Sequence, residues 1–151
     1  MATITQTIET IINGEKYTID TNYTASHIST IDGDFTLASA GSDYDIPIYI
    51  ESDADGDIKF IAFSSTVELD KFQLLDASNA VVIDLLSTIP DSTIVASKEY
   101  QIPGSASMPT VSNTNDVKKL RVSSNTGTAD DTDAQIELIA AFDSGLSDTI
   151  V

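Results

Sequence analysis

Residues 46–63 read IPIYIESDADGDIKFIAF, and the way this stretch folds decides the fold class. Ile46, Ile48 and Ile50 alternate with Pro47, Tyr49 and Glu51, and further on Ile58, Phe60 and Ala62 alternate with Lys59, Ile61 and Phe63. Alternation with period two marks strands that bury one face, because successive side chains of an extended chain point to opposite sides. Between the two runs, Ala54-Asp55-Gly56 reads as a three-residue turn with Gly56 in the left-handed position, where a residue without Cβ is unstrained. That loop predicts a central hairpin in which Ile50 faces Phe60, Ile48 faces Ala62 and Glu51 faces Lys59. A two-residue Asp55-Gly56 loop would oppose Glu51 to Phe60 and split the apolar set, so the longer loop is expected.

The same pattern extends in both directions. Residues 3–12 (TITQTIETII) form a strand with Ile4, Ile8 and Ile12 on one side, and Asn13-Gly14 is a strong two-residue hairpin signal. Residues 15–24 (EKYTIDTNYT) return with Tyr17 and Ile19 on one face and Tyr23 as a further candidate. Two short strands, 27–31 and 34–38, are expected to break at Asp32-Gly33. Residues 66–75 (TVELDKFQLL) alternate cleanly, and after Asp76-Ala77-Ser78-Asn79 residues 80–86 (AVVIDLL) return as a strand. A short helix capped by Asn79, with Val82, Ile83 and Leu86 on one stripe, is the alternative there. Residues 93–102 are a strand stopped by Pro103-Gly104, and 104–116 (GSASMPTVSNTND) a long polar loop. A final hairpin joins 117–123 (VKKLRVS) to 134–142 (AQIELIAAF), a helix capped by Thr132 being the alternative for its second arm.

About nine short strands separated by turn residues predict an all-β chain, a single-domain antiparallel β-sandwich or jelly-roll-like barrel spanning residues 1–151, with a loose N-terminal arm and C-terminal tail. Composition agrees. Ile, Val and Thr number 19, 8 and 18 against 9 Leu, and Asp outnumbers Glu by 18 to 6. Branched side chains suit a pleated surface and Asp suits turns. The net charge of −17 argues against non-specific binding to nucleic acid or to anionic membrane, which need a basic footprint. It favours solubility, cation binding or docking on a basic partner. With no Cys there is no disulfide or thiolate metal site. The N-terminal residues show no basic-then-apolar signal pattern, and no stretch approaches the roughly 20 apolar residues of a membrane helix.

Candidate chemistry is sparse. Glu51, Asp53, Asp55 and Asp57 overlap the first half of a calcium-loop pattern, since carboxylates on alternate residues can converge on a hard cation. They are the candidate metal ligands. Glu stands where the pattern begins with Asp, Ala62 occupies the position of the closing bidentate Glu, and the flanks are strands, which excludes an EF-hand. A solvated acidic turn is the preferred reading, so no cofactor is expected, calcium at this turn being the one exception considered. Asp130, Asp131 and Asp133 form a second acidic loop. His27, the lone histidine, would need Asp32 or Asp34 and a nucleophile, and no nucleophile elbow or oxyanion loop is present. Zinc is disfavoured by one His and no Cys. The carboxylates available for glycoside hydrolysis lie almost all in turns. Asn22-Tyr23-Thr24 matches the glycosylation pattern, by coincidence if the chain is not secreted. No catalytic residue is assigned. Lys118, Lys119 and Arg121 form a local basic patch, read either as pairing with Glu137 across the final hairpin or as meeting an acidic loop of a neighbouring copy.

Taken together, the signal-less N-terminus, the FQLLDASNAVV-type hairpin of a Thr/Ile/Asp-rich sandwich and the final VKKLRVSSNTGTADDTDAQIELIAAF segment resemble small virion proteins of tailed bacteriophages. The style is similar in particular to capsid cement, or decoration, proteins. That resemblance implies a non-enzymatic protein in the virion, assembled in the host cytoplasm, that binds the major capsid protein and copies of itself as a dimer or trimer. A tail-tube or neck subunit is the rival within that class, and no functional residue transfers position by position. A carbohydrate- or calcium-binding sandwich module is the alternative from another class; sugar platforms favour exposed Trp or Tyr, and there is no Trp and only Tyr17, Tyr23, Tyr44, Tyr49 and Tyr100. Residues 2–6, 104–116 and 143–151 are the expected assembly contacts, because strand interiors are committed to the core.

Overall fold

The computed structural model describes residues 2–25, 27–38, 41–50, 58–89, 93–103, 117–124 and 132–142. These form ten strands: β1 (Ala2–Ile12), β2 (Glu15–Ala25), β3 (His27–Leu37), β4 (Tyr44–Ile50), β5 (Ile58–Ser65), β6 (Leu69–Leu75), β7 (Val81–Asp84), β8 (Glu99–Pro103), β9 (Val117–Ser124) and β10 (Thr132–Phe142). β1 and β2 make a separate two-stranded ribbon. The other eight form two antiparallel sheets, ordered β3-β10-β5-β8 and β4-β9-β6-β7.

The pairing is nested. β3 pairs with β10, β4 with β9, β5 with β8 and β6 with β7, all antiparallel. The strands from β3 to β10 therefore trace one long double strand whose tip is the turn between β6 and β7. Rolling that double strand on itself adds the pairs β5–β10 and β6–β9 and closes two facing sheets, the plan of a jelly roll. The chain is thus an all-β antiparallel sandwich of jelly-roll order.

This plan corrects two hairpins expected from the sequence. β4 and β5 lie in opposite sheets, so Ile50 pairs with Val117 rather than facing Phe60, and Ala62 pairs with Ile139 and Gln101 rather than facing Ile48. Glu51, the expected partner of Lys59, and the whole turn 51–57 lie outside the described residues. β9 and β10 likewise belong to different sheets instead of forming a final hairpin. Alternation reports that a strand has a buried face. It does not report which strand supplies the hydrogen bonds, and in a sandwich the next strand can bury its own face from the opposite layer.

The core lies between the sheets. Ile31, Leu37, Ile61, Phe63, Ile136 and Leu138 meet Ile46, Ile50, Leu69, Phe72, Leu74 and Leu120. Phe63 sits at its centre, stacked on Phe72 of the other sheet at 5.0 Å between ring centroids and on Tyr100 at 5.4 Å. The inward face of β5 is therefore Ile61 and Phe63, the reverse of the expected set. Phe60 and Ala62 point outward and are buried as well, in a second cluster with Ala25 and Ala141.

Local corrections follow from the same competition between local signals and long-range pairing. β3 runs unbroken through Asp32-Gly33, because β10 supplies a full ladder beside it. The ring of Phe35 lies over Gly33, where a Cβ would approach it to 3.2 Å, so glycine here makes room for an aromatic neighbour. After β6, the Asp76 carboxylate accepts from the Ser78 and Ala80 amides at 2.8 and 2.9 Å, and Asn79 takes φ 69°. In the 80–86 segment the strand runs from Val81 to Asp84 and the alternative helix capped by Asn79 does not form; a 3-10 turn over Leu85–Thr88, capped by Asp84, follows the strand. Strand β8 is shorter than the sequence suggested, with only Ile94 of the preceding residues bridging to Leu69.

Candidate functional site

The N-terminal ribbon is the feature that stands apart from the sandwich. Its register runs without a slip from Ala2↔Ala25 to Ile12↔Glu15 around Asn13-Gly14. Both turn residues have positive φ, 53° and 84°, the mirror-image turn that matches strand twist in two-residue hairpins. Directly paired residues share a face. One face thus carries Ile4, Gln6, Ile8, Thr10 and Ile12 beside Thr21, Ile19, Tyr17 and Glu15, and the other carries Thr3, Thr5, Thr7 and Glu9 beside Thr24, Asn22, Asp20 and Thr18. Cross-strand polar contacts knit the second face: Thr5 to Asn22 and Thr7 to Asp20, each at 2.9 Å, and the Lys16–Glu9 ion pair.

The apolar face has two parts with different surroundings. At the root, Ile4 packs against the cluster of Ala25, Phe60, Ala62 and Ala141 on the outer side of β5 and β10. Gln6 then hydrogen-bonds Gln101 on β8, the edge strand of that sheet. Beyond that point the ribbon leaves the body. Ile8, Ile12, Tyr17 and Ile19 on the same face are 49%, 54%, 50% and 63% exposed. At about 3.4 Å per residue, the six positions of β1 past Gln6 give the ribbon a free length of roughly 20 Å. Ile11, on the polar face near the tip, is exposed too. Of residues 2–6, expected to reach a partner, Ile4 and Gln6 are instead spent on the chain's own sheet, and the uncovered apolar surface lies further out.

The outer face of the β4-β9-β6-β7 sheet holds a charge ladder. Arg121 donates from Nε and Nη2 to the two carboxylate oxygens of Asp45 at 2.7 and 2.9 Å, and its Nε lies 3.6 Å from Asp43. Lys119 reaches Asp45 at 3.2 Å and Asn79, and Lys71 pairs with Asp43. The Asp45 carboxyl is held at about 2, chiefly by the hydrogen bond from Arg121 and further by Lys119, against the opposing effect of its partial burial. Hydrogen bonds from Ser78 and Ala80 likewise lower the Asp76 carboxyl. Lys118 lies 4.1 Å over the ring of Tyr49. The expected pairing of Lys119 or Arg121 with Glu137 is therefore overturned: Glu137 sits on the other sheet and accepts from Ser64 at 3.1 Å. The basic patch meets acids of its own chain, on the strand that the nested pairing places beside it.

Glu51, Asp53, Asp55 and Asp57 lie outside the described residues, as do Asp130, Asp131 and the segments 104–116 and 143–151. Asp133 accepts from Thr36 at 2.8 Å. His27 is exposed at the start of β3 with its ring 5.6 Å from Phe142, and the strand's alternation puts Asp32 and Asp34 on the opposite face. Tyr17 and Tyr49 are both half exposed, one on the arm and one on β4, in different sheets. Two shallow depressions, of about 260 and 470 Å³, are lined mostly by hydroxyl, amide and carboxylate side chains, with Glu99 and Glu137 in one and Asp34 and Asp133 beside Phe35 and Ala134 in the other. Among the described residues, no three His, Cys, Asp or Glu side chains are grouped to hold a metal ion.

The fold and surface define a jelly-roll sandwich that carries an apolar β-ribbon arm. No protein-family model matches the chain, and no curated protein matches it. Among solved structures, a chain in "Structure of infectious bursal disease virus Gx strain" aligns over 95% of this chain with 17% identity and a TM-score of 0.45. The present chain spans 38% of that one, and likeness at this level transfers no residue role.

Proposed function

We propose that the chain is a non-enzymatic structural protein of a virion, a capsid cement or decoration protein that binds and stabilises a protein shell, with the β1–β2 arm as its assembly contact. One observation supports this reading above the others: the arm holds Ile8, Ile12, Tyr17 and Ile19 in water while the sandwich buries its own core. A two-stranded ribbon is marginal in water by itself, and a contiguous exposed apolar face marks an interaction site. The strongly acidic body keeps copies soluble before they dock. The partners in this reading are the major capsid protein and further copies of the chain.

The test is occupancy of the native particle. Particles from the source of the sequence are purified with either the wild-type chain or an Ile8→Asp/Ile19→Asp variant, and copies per particle are counted by quantitative peptide mass spectrometry. Both substitutions fall on exposed positions of the arm and touch none of the sandwich core, so the sandwich of the variant still folds. The wild type is expected at many copies per shell and the variant in the soluble fraction. Absence of the wild-type chain from particles, or hydrolytic turnover by the purified chain, overturns the reading.

A further inference from the structure

We infer that the occupant of the arm's apolar face is the same face of a second copy, so that two arms pack together and hold the acidic bodies apart. This rests on the reading of the arm as an assembly contact and names what it contacts. The face is self-complementary: rows of Ile8–Ile19, Thr10–Tyr17 and Ile12–Glu15 present branched and aromatic side chains, with Glu15 alone charged and placed at the tip. Two such ribbons can interdigitate as sheets do at about 10 Å spacing.

Charge argues for the arm over any other meeting surface between copies. Within residues 2–25, Glu9, Glu15 and Asp20 are set against Lys16, so nearly all of the net charge of −17 belongs to the body. Body-to-body contact would press two strongly acidic surfaces together. Arms overlapped along their free length keep the bodies roughly 20 Å apart, more than two screening lengths at physiological salt. The root supplies a precedent, since the same face of the same ribbon already packs on an apolar sheet surface at Phe60, Ala62 and Ala141.

Size sets the strength. The four exposed side chains offer roughly 400 Å² per arm, so a pair buries about 800 Å², below the roughly 1,200 Å² of a standard stable interface. The dimer is therefore weak in solution and becomes effective where many copies are held on one surface, because tethering raises the effective concentration of the second contact.

Sedimentation velocity on the purified full chain, from about 10 to 300 µM, reads this directly. The expected result is concentration-dependent dimerisation that tightens from low to high NaCl, because salt screens the residual repulsion without weakening apolar contact. Ile8→Asp/Ile19→Asp should weaken it by at least about tenfold. The chain has no native cysteine, so Thr10→Cys on the apolar face should give an intermolecular disulfide under mild oxidation, whereas Thr7→Cys on the polar face should not. A wild type that stays monomeric across the range, an association that salt weakens, or equal cross-linking at both positions overturns the inference. A monomeric chain that still occupies particles overturns only the arm pairing, whereas arm-paired copies absent from particles overturn only the virion reading.

Discussion

β1 and β5 carry the same kind of alternating apolar pattern and end in opposite environments. In β5, the four consecutive residues Phe60, Ile61, Ala62 and Phe63 are all buried, two against the opposing sheet and two beneath the root of the arm. In the ribbon, Ile8 and Ile19 stand opposite each other on an equally regular face and remain about half or more exposed. Period-two alternation tells which side chains share a face. Whether that face is covered depends on what the rest of the chain, or another chain, brings to it.

The largest effect expected from this contrast is at the centre of the sandwich. Phe63→Ala should cost about 3–5 kcal/mol in urea denaturation, because it empties a ring-sized space between two sheets. Ile19→Ala on the arm should change stability by less than about 0.5 kcal/mol under the same conditions. Equal costs would mean that the arm's face is covered within a single chain.

A smaller effect is expected where the two regions join. Phe60→Ala should cost about 3 kcal/mol, the low end of the range, since its neighbours are the small Ala25, Ala62 and Ala141 together with Ile4. It should also release the root. Limited trypsin treatment would then cut after Lys16, the only basic residue of the arm, faster than in the wild type while leaving the body intact. Unchanged cleavage would show that Phe60 does not anchor the ribbon.

The smallest effect belongs to the charge ladder, where partial exposure screens the Asp45–Arg121 pair to roughly 0.2–1 kcal/mol. The Asp45 carboxyl is lowered in the folded chain from the ordinary 3.8 to about 2. Its contribution is therefore fully present above pH 4 and is lost as pH falls through 2. Asp45→Asn should lower the melting temperature slightly at neutral pH and leave it equal to the wild type only well below pH 2, where the carboxyl is protonated in both states. A difference that persists near about pH 1 would assign the effect to packing rather than to charge.

How far the sequence could be read depended on contact distance. The ribbon was legible almost residue by residue: Asn13-Gly14 supplies the positive φ values its turn needs, and Ile8 and Ile19 fall opposite each other once that turn is set. The β6–β7 turn was legible for the same reason, with Asp76 closing it through near neighbours. The pairings of residues 46–63 and 117–142 were not. Each joins strands whose hydrogen-bonding partners lie far away in the chain, and local alternation looks alike in a hairpin and in two strands of facing sheets.

The charge ladder was misread for a related reason. Lys119 and Arg121 stood out in so acidic a chain, but their partner Asp45 is brought to them by the pairing of β4 with β9, whereas Glu137 was nearer in sequence. Nothing local marks one carboxylate over another when 24 are present.

By itself, the sequence determined the strand-rich class, the turn-fixed ribbon and which residues of each strand share a face, because these depend on backbone stereochemistry and near neighbours. The tertiary structure alone decided the nested order of the jelly roll, the double burial of β5, the partners of the basic residues and the bare outer half of the arm. Those outcomes rest on contacts between distant segments, which form only when the whole double strand rolls up and two of its faces compete for the same core.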